Sequence, residues 1–190
     1  SWDLPTPARI IPNGVDTERF RPGPGGKGAI WFGRLTRDKA PHLGIDAARR
    51  VGLPLTLIGR VGDAAYYRAE IAPRLGGDIT HREHVPQEEL AEEIGQHDVA
   101  LVTPVWEEPF GMVTIEAMAC GTPVAATPRG ALPGLVGPAP SAVAADCTPE
   151  ALAAAAREAL SFPRAEVADY ARAHHSIDAM LAAYEEEYRK

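Results

Sequence analysis

The chain has 190 residues with 26 acidic and 19 basic side chains, a net charge of −7. That length suits one domain with a sizeable core, and 45% hydrophobic with 24% charged residues is ordinary for a soluble globular chain. The acid excess argues against a nucleic-acid binder, which needs surplus Lys and Arg to meet phosphates, but leaves room for a small anionic ligand held by two or three local cations.

No apolar run reaches transmembrane length and no segment reads as a signal peptide. Cys120 and Cys147 lack metal or redox spacing and read as reduced thiols of a cytoplasmic protein. Ser1–Pro7 reads as a linker, which suggests a piece of something longer.

In chain order, Arg9-Ile10-Ile11 is expected as a short strand. Pro12–Asp16 is turn chemistry, and Pro22–Gly28 is a Pro/Gly loop. Ala29–Phe32 is a buried strand stopped by Gly33, and His42–Val51 has helical periodicity. Leu55–Ile58 is a second strand, Ala64–Leu75 a helix with Pro73 near its end, and Asp78–His81 a third strand. Pro86–Gln96 is a helix with proline at its start and acids in its first turn. Val99–Val102 is a strand, Met112–Cys120 a helix closed by Gly121, and Pro123–Ala126 and Ala142–Ala145 are further strands. Pro149–Leu160, Arg164–Ala173 and Ile177–Tyr188 close the chain as helices expected to pack outside the alternating unit.

Short apolar strands alternating with amphipathic helices predict an α/β fold, a Rossmann-like, doubly wound parallel sheet covered on both faces. Ligands then sit beyond the carboxyl ends of the strands.

Chemistry concentrates between Pro104 and Ala126. From Phe110 onward this stretch is apolar or small except for Glu116. A carboxylate in such a helix is costly unless satisfied; a pair of sugar hydroxyls or a structural partner such as an internal Arg would serve. Glu108 precedes Pro109 and so lies on extended backbone. Gly111 permits close approach, and free N–H groups at the helix start near Met112 favour a polar or anionic ligand. Two carboxylates near an anion require cations, which Gly33-Arg34-(four residues)-Lys39 supplies at the end of the first strand. Arg34 can chelate phosphate in a fork and Lys39 adds a point charge; alternatively both are ordinary surface cations, and Glu108 a solvated loop residue. Trp106, beside Glu107, either packs under its loop or stacks on a ligand, and packing is the expected outcome. No histidine has metal-ligand spacing, and there is no Gly-x-Ser-x-Gly or P-loop motif.

Gly33-Arg34-(four residues)-Lys39 followed by Glu108-Pro109-Phe110-Gly111-(four residues)-Glu116-Ala117-Met118-Ala119-Cys120-Gly121-Thr122-Pro123-Val124 resembles the donor domain of group-1 (family 4) retaining glycosyltransferases, which have the GT-B architecture of two Rossmann-like domains facing a cleft. Ile11–Pro22 resembles the family's inter-domain segment, and Ile177–Tyr188, with Tyr184, its final helix, which crosses back to the amino-terminal domain. The resemblance implies a lead-in over residues 1–28, a donor-binding domain over 29–175 and a crossover helix over 176–190.

It also implies roles. Arg34 and Lys39 would grip the donor diphosphate, Glu116 the ribose hydroxyls and Glu108 the transferred sugar. The backbone of Phe110, Gly111, Met112 and Val113 would line the sugar and phosphate pocket beside Gly33, and His84 and Val85 would lie near the base. The implied donor is a UDP- or GDP-sugar, with no metal or other cofactor, and the amino-terminal acceptor domain would be absent from this chain. Ala40 departs from the family's usual glycine after the lysine, and Gly134 stands where glutamate is common. The competing readings are a non-catalytic nucleotide-sugar module and a dinucleotide-binding domain. The latter wants Gly-x-Gly-x-x-Gly after the first strand, where this sequence has Gly33-Arg34-Leu35.

Overall fold

Apolar runs stopped by glycine become the strands. The structure is a computed structural model and describes residues 9–189; the expected linker over Ser1–Pro7 lies outside the described residues, as does Lys190. The strands are β1 (Ala29–Phe32), β2 (Leu55–Ile58), β3 (Ile79–Arg82), β4 (Val99–Val102), β5 (Val124–Ala126) and β6 (Ala142–Val143). The helices are α1 (Pro41–Val51), α3 (Gln87–Gly95), α4 (Met112–Ala119), α5 (Leu132–Val136), α6 (Pro149–Ala159), α7 (Arg164–His175) and α8 (Ile177–Tyr188). Between β2 and β3 runs α2, a helix in three pieces: α-helical over Ala64–Tyr66, π over Tyr67–Ile71 and 3-10 over Ala72–Arg74.

The strands form one parallel sheet in the order β3-β2-β1-β4-β5-β6. Strand side chains alternate between two buried layers, as a sheet covered on both faces requires. Ile30, Phe32, Ile58, Ala100 and Val102 join α3, α4, α5 and α7 in one core. Ala29, Trp31, Leu55, Leu57 and Leu101 join α1, α2 and α6 in the other. The strand order reverses between β1 and β4, which opens a crevice beyond their carboxyl ends.

Four sequence expectations are corrected. Arg9-Ile10-Ile11 is not a strand: no sheet strand lies beside it, and Ile10 is 88% exposed. The lead-in is instead tied to the far end of the chain, Val15 bridging to Ser176. The helix expected over Ala64–Leu75 loses α geometry after Tyr66, because Pro73 donates no N–H and its ring crowds the preceding turn. No element is expected from sequence at α5; the structure adds this helix, with Pro133 in its first turn, where a missing N–H costs nothing. The closing helices do not all pack outside the alternating unit, because α6 lies on the sheet beside α1 and covers β4, β5 and β6.

Arg164, at the start of α7, holds the lead-in to the body. Its guanidinium donates to the carbonyls of Gly23, Gly95, His97 and Cys120 and to the Thr122 hydroxyl, at 2.7–3.2 Å. Five donors in a planar fork suit a residue that collects loop and helix-end carbonyls. Among the described residues no helix is long and apolar enough to cross a membrane.

Candidate functional site

Two glycines shape the floor of the crevice. Gly33 follows β1 and Gly59 follows β2, with φ of 146° and 151°. A Cβ on Gly59 would fall 1.8 Å from the Gly33 carbonyl oxygen, so only glycine lets the two strand ends pass this closely. Beyond them, Leu35 N–H donates to the Arg60 carbonyl at 3.0 Å.

The crevice has two lobes that share Phe32, Gly33 and Val113. The larger, about 450 Å³, is lined by Arg34, Arg60, His84, Val85 and Glu116 among others. The smaller, about 40 Å³, lies at the switch between β1 and β4 and contains Lys39 and Glu108. Of the residues singled out by sequence, Gly33, Arg34, His84, Val85, Val113 and Glu116 thus line one lobe, and Lys39 and Glu108 the adjoining one.

Three of the expected lining positions, Phe110, Gly111 and Met112, are not among the residues that line either lobe. Phe110 faces a different cavity of about 460 Å³, beside Asn13, Pro109 and His175. Met112 is exposed and lines neither lobe. The turn at Pro109 carries the chain out of the crevice before α4 brings Val113 and Glu116 back to it. Gly111 caps α4 in the left-handed region at φ 92°.

Glu116 has no hydrogen-bond or ion-pair partner among the described residues, so the structural-partner alternative finds no internal Arg or cap. Burial alone pushes its carboxyl above the usual range. Arg34 is exposed and likewise has no partner among the described residues. An unpaired carboxyl and an unpaired guanidinium thus face the same lobe, and both need an external partner.

The Lys39–Glu108 pair is built differently. Lys39 Nζ lies 2.5 Å from Glu108 Oε2, and the same oxygen accepts the Trp106 indole N–H at 3.1 Å. The ammonium sits 5.0 Å from the Trp106 ring centroid, within cation–π range. Trp106 is not packed under its loop: it is 42% exposed, and its indole bonds Glu108 beside the smaller lobe, contrary to the packing preferred from sequence. Its position two residues before Glu108 was the available signal.

Backbone anchors hold this group. The Trp31 indole donates to the Thr103 hydroxyl at 2.8 Å, and that hydroxyl donates to the Lys39 carbonyl at 2.7 Å. On the other side Ala131 N–H donates to the Glu108 carbonyl at 2.8 Å. Gly130 lies so close to the Glu108 backbone that a Cβ there would be 2.2 Å from its carbonyl oxygen. Ala40, next to Lys39, is the only non-glycine residue with positive φ among the described residues (46°), and it caps α1 without a side-chain bond.

Two buried titratable groups away from the crevice, His97 and Cys120, are part of the packing. The buried His97 ring joins the Glu93 carbonyl at 2.6 Å and the Thr56 hydroxyl at 3.2 Å, and burial pushes its pKa down. Burial pushes the Cys120 thiol up to about 12. No group of three metal-ligating side chains occurs among the described residues.

Residues 16–174 match the family described as glycosyl transferases group 1. The chain is 33% identical over 145 residues to a D-inositol 3-phosphate glycosyltransferase of Paenarthrobacter aurescens, covering 65% of this chain and 35% of that protein. Among solved structures, AviGT4, a glycosyltransferase involved in avilamycin A biosynthesis, superposes with a TM-score of 0.83 at 25% identity, over 96% of this chain and 58% of that one. The fold is also that of HepE from Anabaena, solved with UDP-glucose, with a TM-score of 0.79 at 19% identity over 95% of this chain and 57% of that one. The chain spans less than half the length of the curated relatives it matches. A parallel sheet with its crevice at the strand switch, and a family match over most of the sequence, lead to one conclusion: the chain belongs to the group 1 glycosyltransferase family.

Proposed function

We propose that this chain is the donor-binding half of a retaining, GT-B glycosyltransferase that transfers a hexosyl group from a UDP- or GDP-sugar. The observation that carries the reading is the pairing of needs in the larger lobe: among the described residues Glu116 has no partner while burial disfavours its charge, and Arg34 has none on the facing strand end. Ribose hydroxyls donating to the carboxylate and a phosphate accepting from the guanidinium satisfy both at once. The matches to a D-inositol 3-phosphate glycosyltransferase and to a fold solved with UDP-glucose support the same donor class.

In this reading the nucleoside lies toward His84 and Val85, the diphosphate crosses the Gly33 turn, and the sugar reaches Glu108. Transfer breaks the bond between the anomeric carbon and the terminal phosphate oxygen, the leaving nucleoside diphosphate takes the electron pair, and the anomeric carbon bonds to an acceptor hydroxyl oxygen whose proton passes to the leaving diphosphate. Arg34, Lys39 and the N–H groups at the start of α4 neutralise that developing charge in place, without waiting for solvent to reorganise. Lys39 releases Glu108 for the sugar hydroxyls as the phosphate takes over the ammonium. Acceptor binding and the remaining catalytic groups belong to the partner domain, and the chain alone binds donor without transferring sugar.

The test is a thermal-shift screen of the chain against UDP-, GDP-, ADP- and dTDP-sugars, followed by calorimetry on the best ligand. A rise in melting temperature with one UDP- or GDP-sugar, absent in Glu116→Ala, is expected. No shift with any of these ligands, or rapid sugar transfer by the chain alone, overturns the reading.

A further inference from the structure

The two strands that pass each other at Gly33 and Gly59 end in the same dipeptide. Phe32-Gly33-Arg34-Leu35 follows β1 and Ile58-Gly59-Arg60-Val61 follows β2, and Phe32 and Ile58 are paired in register. The equivalence extends past the sheet, because Leu35 and Val61 also bridge in parallel. Arg34 and Arg60 therefore occupy the same step on neighbouring strand ends, about 5 Å apart at the backbone by strand spacing.

Both side chains are exposed and line the larger lobe. Among the described residues, only Arg34, Arg60 and Arg68 are basic side chains with no hydrogen bond, ion pair or ring contact. In a chain of net charge −7, two of these three face one cavity. Like charges directly opposite each other on paired strands are unfavourable, and among the described residues no side chain pairs with either. An anion between them would.

We infer that Arg60 is a binding residue of the donor site, and that it takes the phosphate attached to the nucleoside. This rests on the donor-site reading above and deepens it. The position along the sheet edge selects that phosphate. Arg60 shares its lobe with Glu116, His84 and Val85, on the nucleoside side of the Gly33 turn, and not with Lys39 and Glu108 on the sugar side. Arg34, at the turn itself, reaches the bridge between the two phosphates, and Lys39 the terminal one. The guanidinium forks of Arg34 and Arg60 then clasp the phosphate chain from adjacent strand ends.

Calorimetry of the chain with uridine, UMP and UDP, and with the guanosine series, tests the inference on wild type, Arg60→Gln, Arg60→Lys, Arg68→Gln and Glu116→Gln. Arg60→Gln is expected to weaken the monophosphate and diphosphate by a similar factor, about tenfold, and to leave the nucleoside unchanged. Arg60→Lys should recover part of the loss, since it restores charge without the fork. Arg68→Gln, outside the lobe, should bind as wild type. If Arg60→Gln binds UMP and UDP normally while Glu116→Gln does not, the inference about Arg60 fails and the donor-site reading stands. If Arg60→Gln weakens uridine as much as UMP, the residue contacts the base and the phosphate assignment is overturned. If wild type binds neither series, both fall. Arg60 is exposed, so circular dichroism and melting of the variants should match wild type.

Discussion

Trp106 donates its indole N–H to the same Glu108 oxygen that Lys39 holds. One carboxylate oxygen thus receives a neutral and a charged donor, leaving the second oxygen for a ligand. A hydrogen bond to a charged acceptor at a half-exposed site contributes about 1 kcal/mol. Trp106→Phe keeps the ring under the ammonium and removes only the donor. The free nucleoside diphosphate should bind this variant as tightly as wild type, while the extra affinity conferred by the attached sugar falls about fivefold. Paired titrations with a nucleotide and its sugar conjugate measure that difference.

Glu116 sets stability against binding. Its folded pKa is raised above the ordinary 4.5 by burial, so the protonated acid is favoured more in the folded protein than in the unfolded chain. The resulting contribution is fully present below pH 4.5 and is lost as pH rises through the folded value. Glu116→Gln keeps the shape and cannot ionise. Its melting temperature should match wild type below pH 4.5 and exceed it near neutrality, by the equivalent of about 1 kcal/mol for relieving an unpaired buried carboxylate. Nucleotide affinity should fall in the same variant. A neutral-pH melting temperature equal to wild type counts against an unpaired Glu116.

Ala40 holds a left-handed conformation that costs an L-residue roughly 1–2 kcal/mol. Ala40→Gly removes that strain but loosens the unfolded chain and gives up a buried methyl. The net expectation is a gain of about 0.5 kcal/mol, seen as a small rise in denaturant midpoint. Ala40→Val should instead lose about 2 kcal/mol or more, because branching at Cβ makes positive φ much worse.

Arg164→Met should be the most damaging of these substitutions to the fold. It leaves the carbonyls of Gly23, Gly95, His97 and Cys120 without their shared donor, at a cost of about 3–5 kcal/mol. Urea unfolding measures it. Arg164→Lys should recover only a fraction, since one ammonium cannot span the same acceptors.

The sheet could be read from the sequence because its signal is local: Ala29–Phe32, Leu55–Ile58 and Val99–Val102 are short apolar runs with turn residues after them. Helix α5 could not, because Pro133 and Gly134 carry no helical preference and only packing over β5 and β6 makes them helical. Glu116 stood out as a charge among apolar neighbours. Trp106 and Arg60 did not, since an exposed tryptophan or arginine looks like surface until its neighbours are known. Phe110 lies in the stretch whose backbone the family resemblance placed at the pocket, but it borders a different cavity, beside Asn13 and His175.

The grip of Arg164 on Gly23 joins residues 141 positions apart, and the Val15–Ser176 bridge reaches further still. During synthesis on the ribosome, every strand is available long before α7 emerges. The nascent sheet must therefore wait with its first loop untied, and folding completes only when the last helices are released. Such late, long-range closure makes for slow folding. It also predicts that translation stalled between α6 and α7 yields a protease-sensitive intermediate with its strands formed and its lead-in loose.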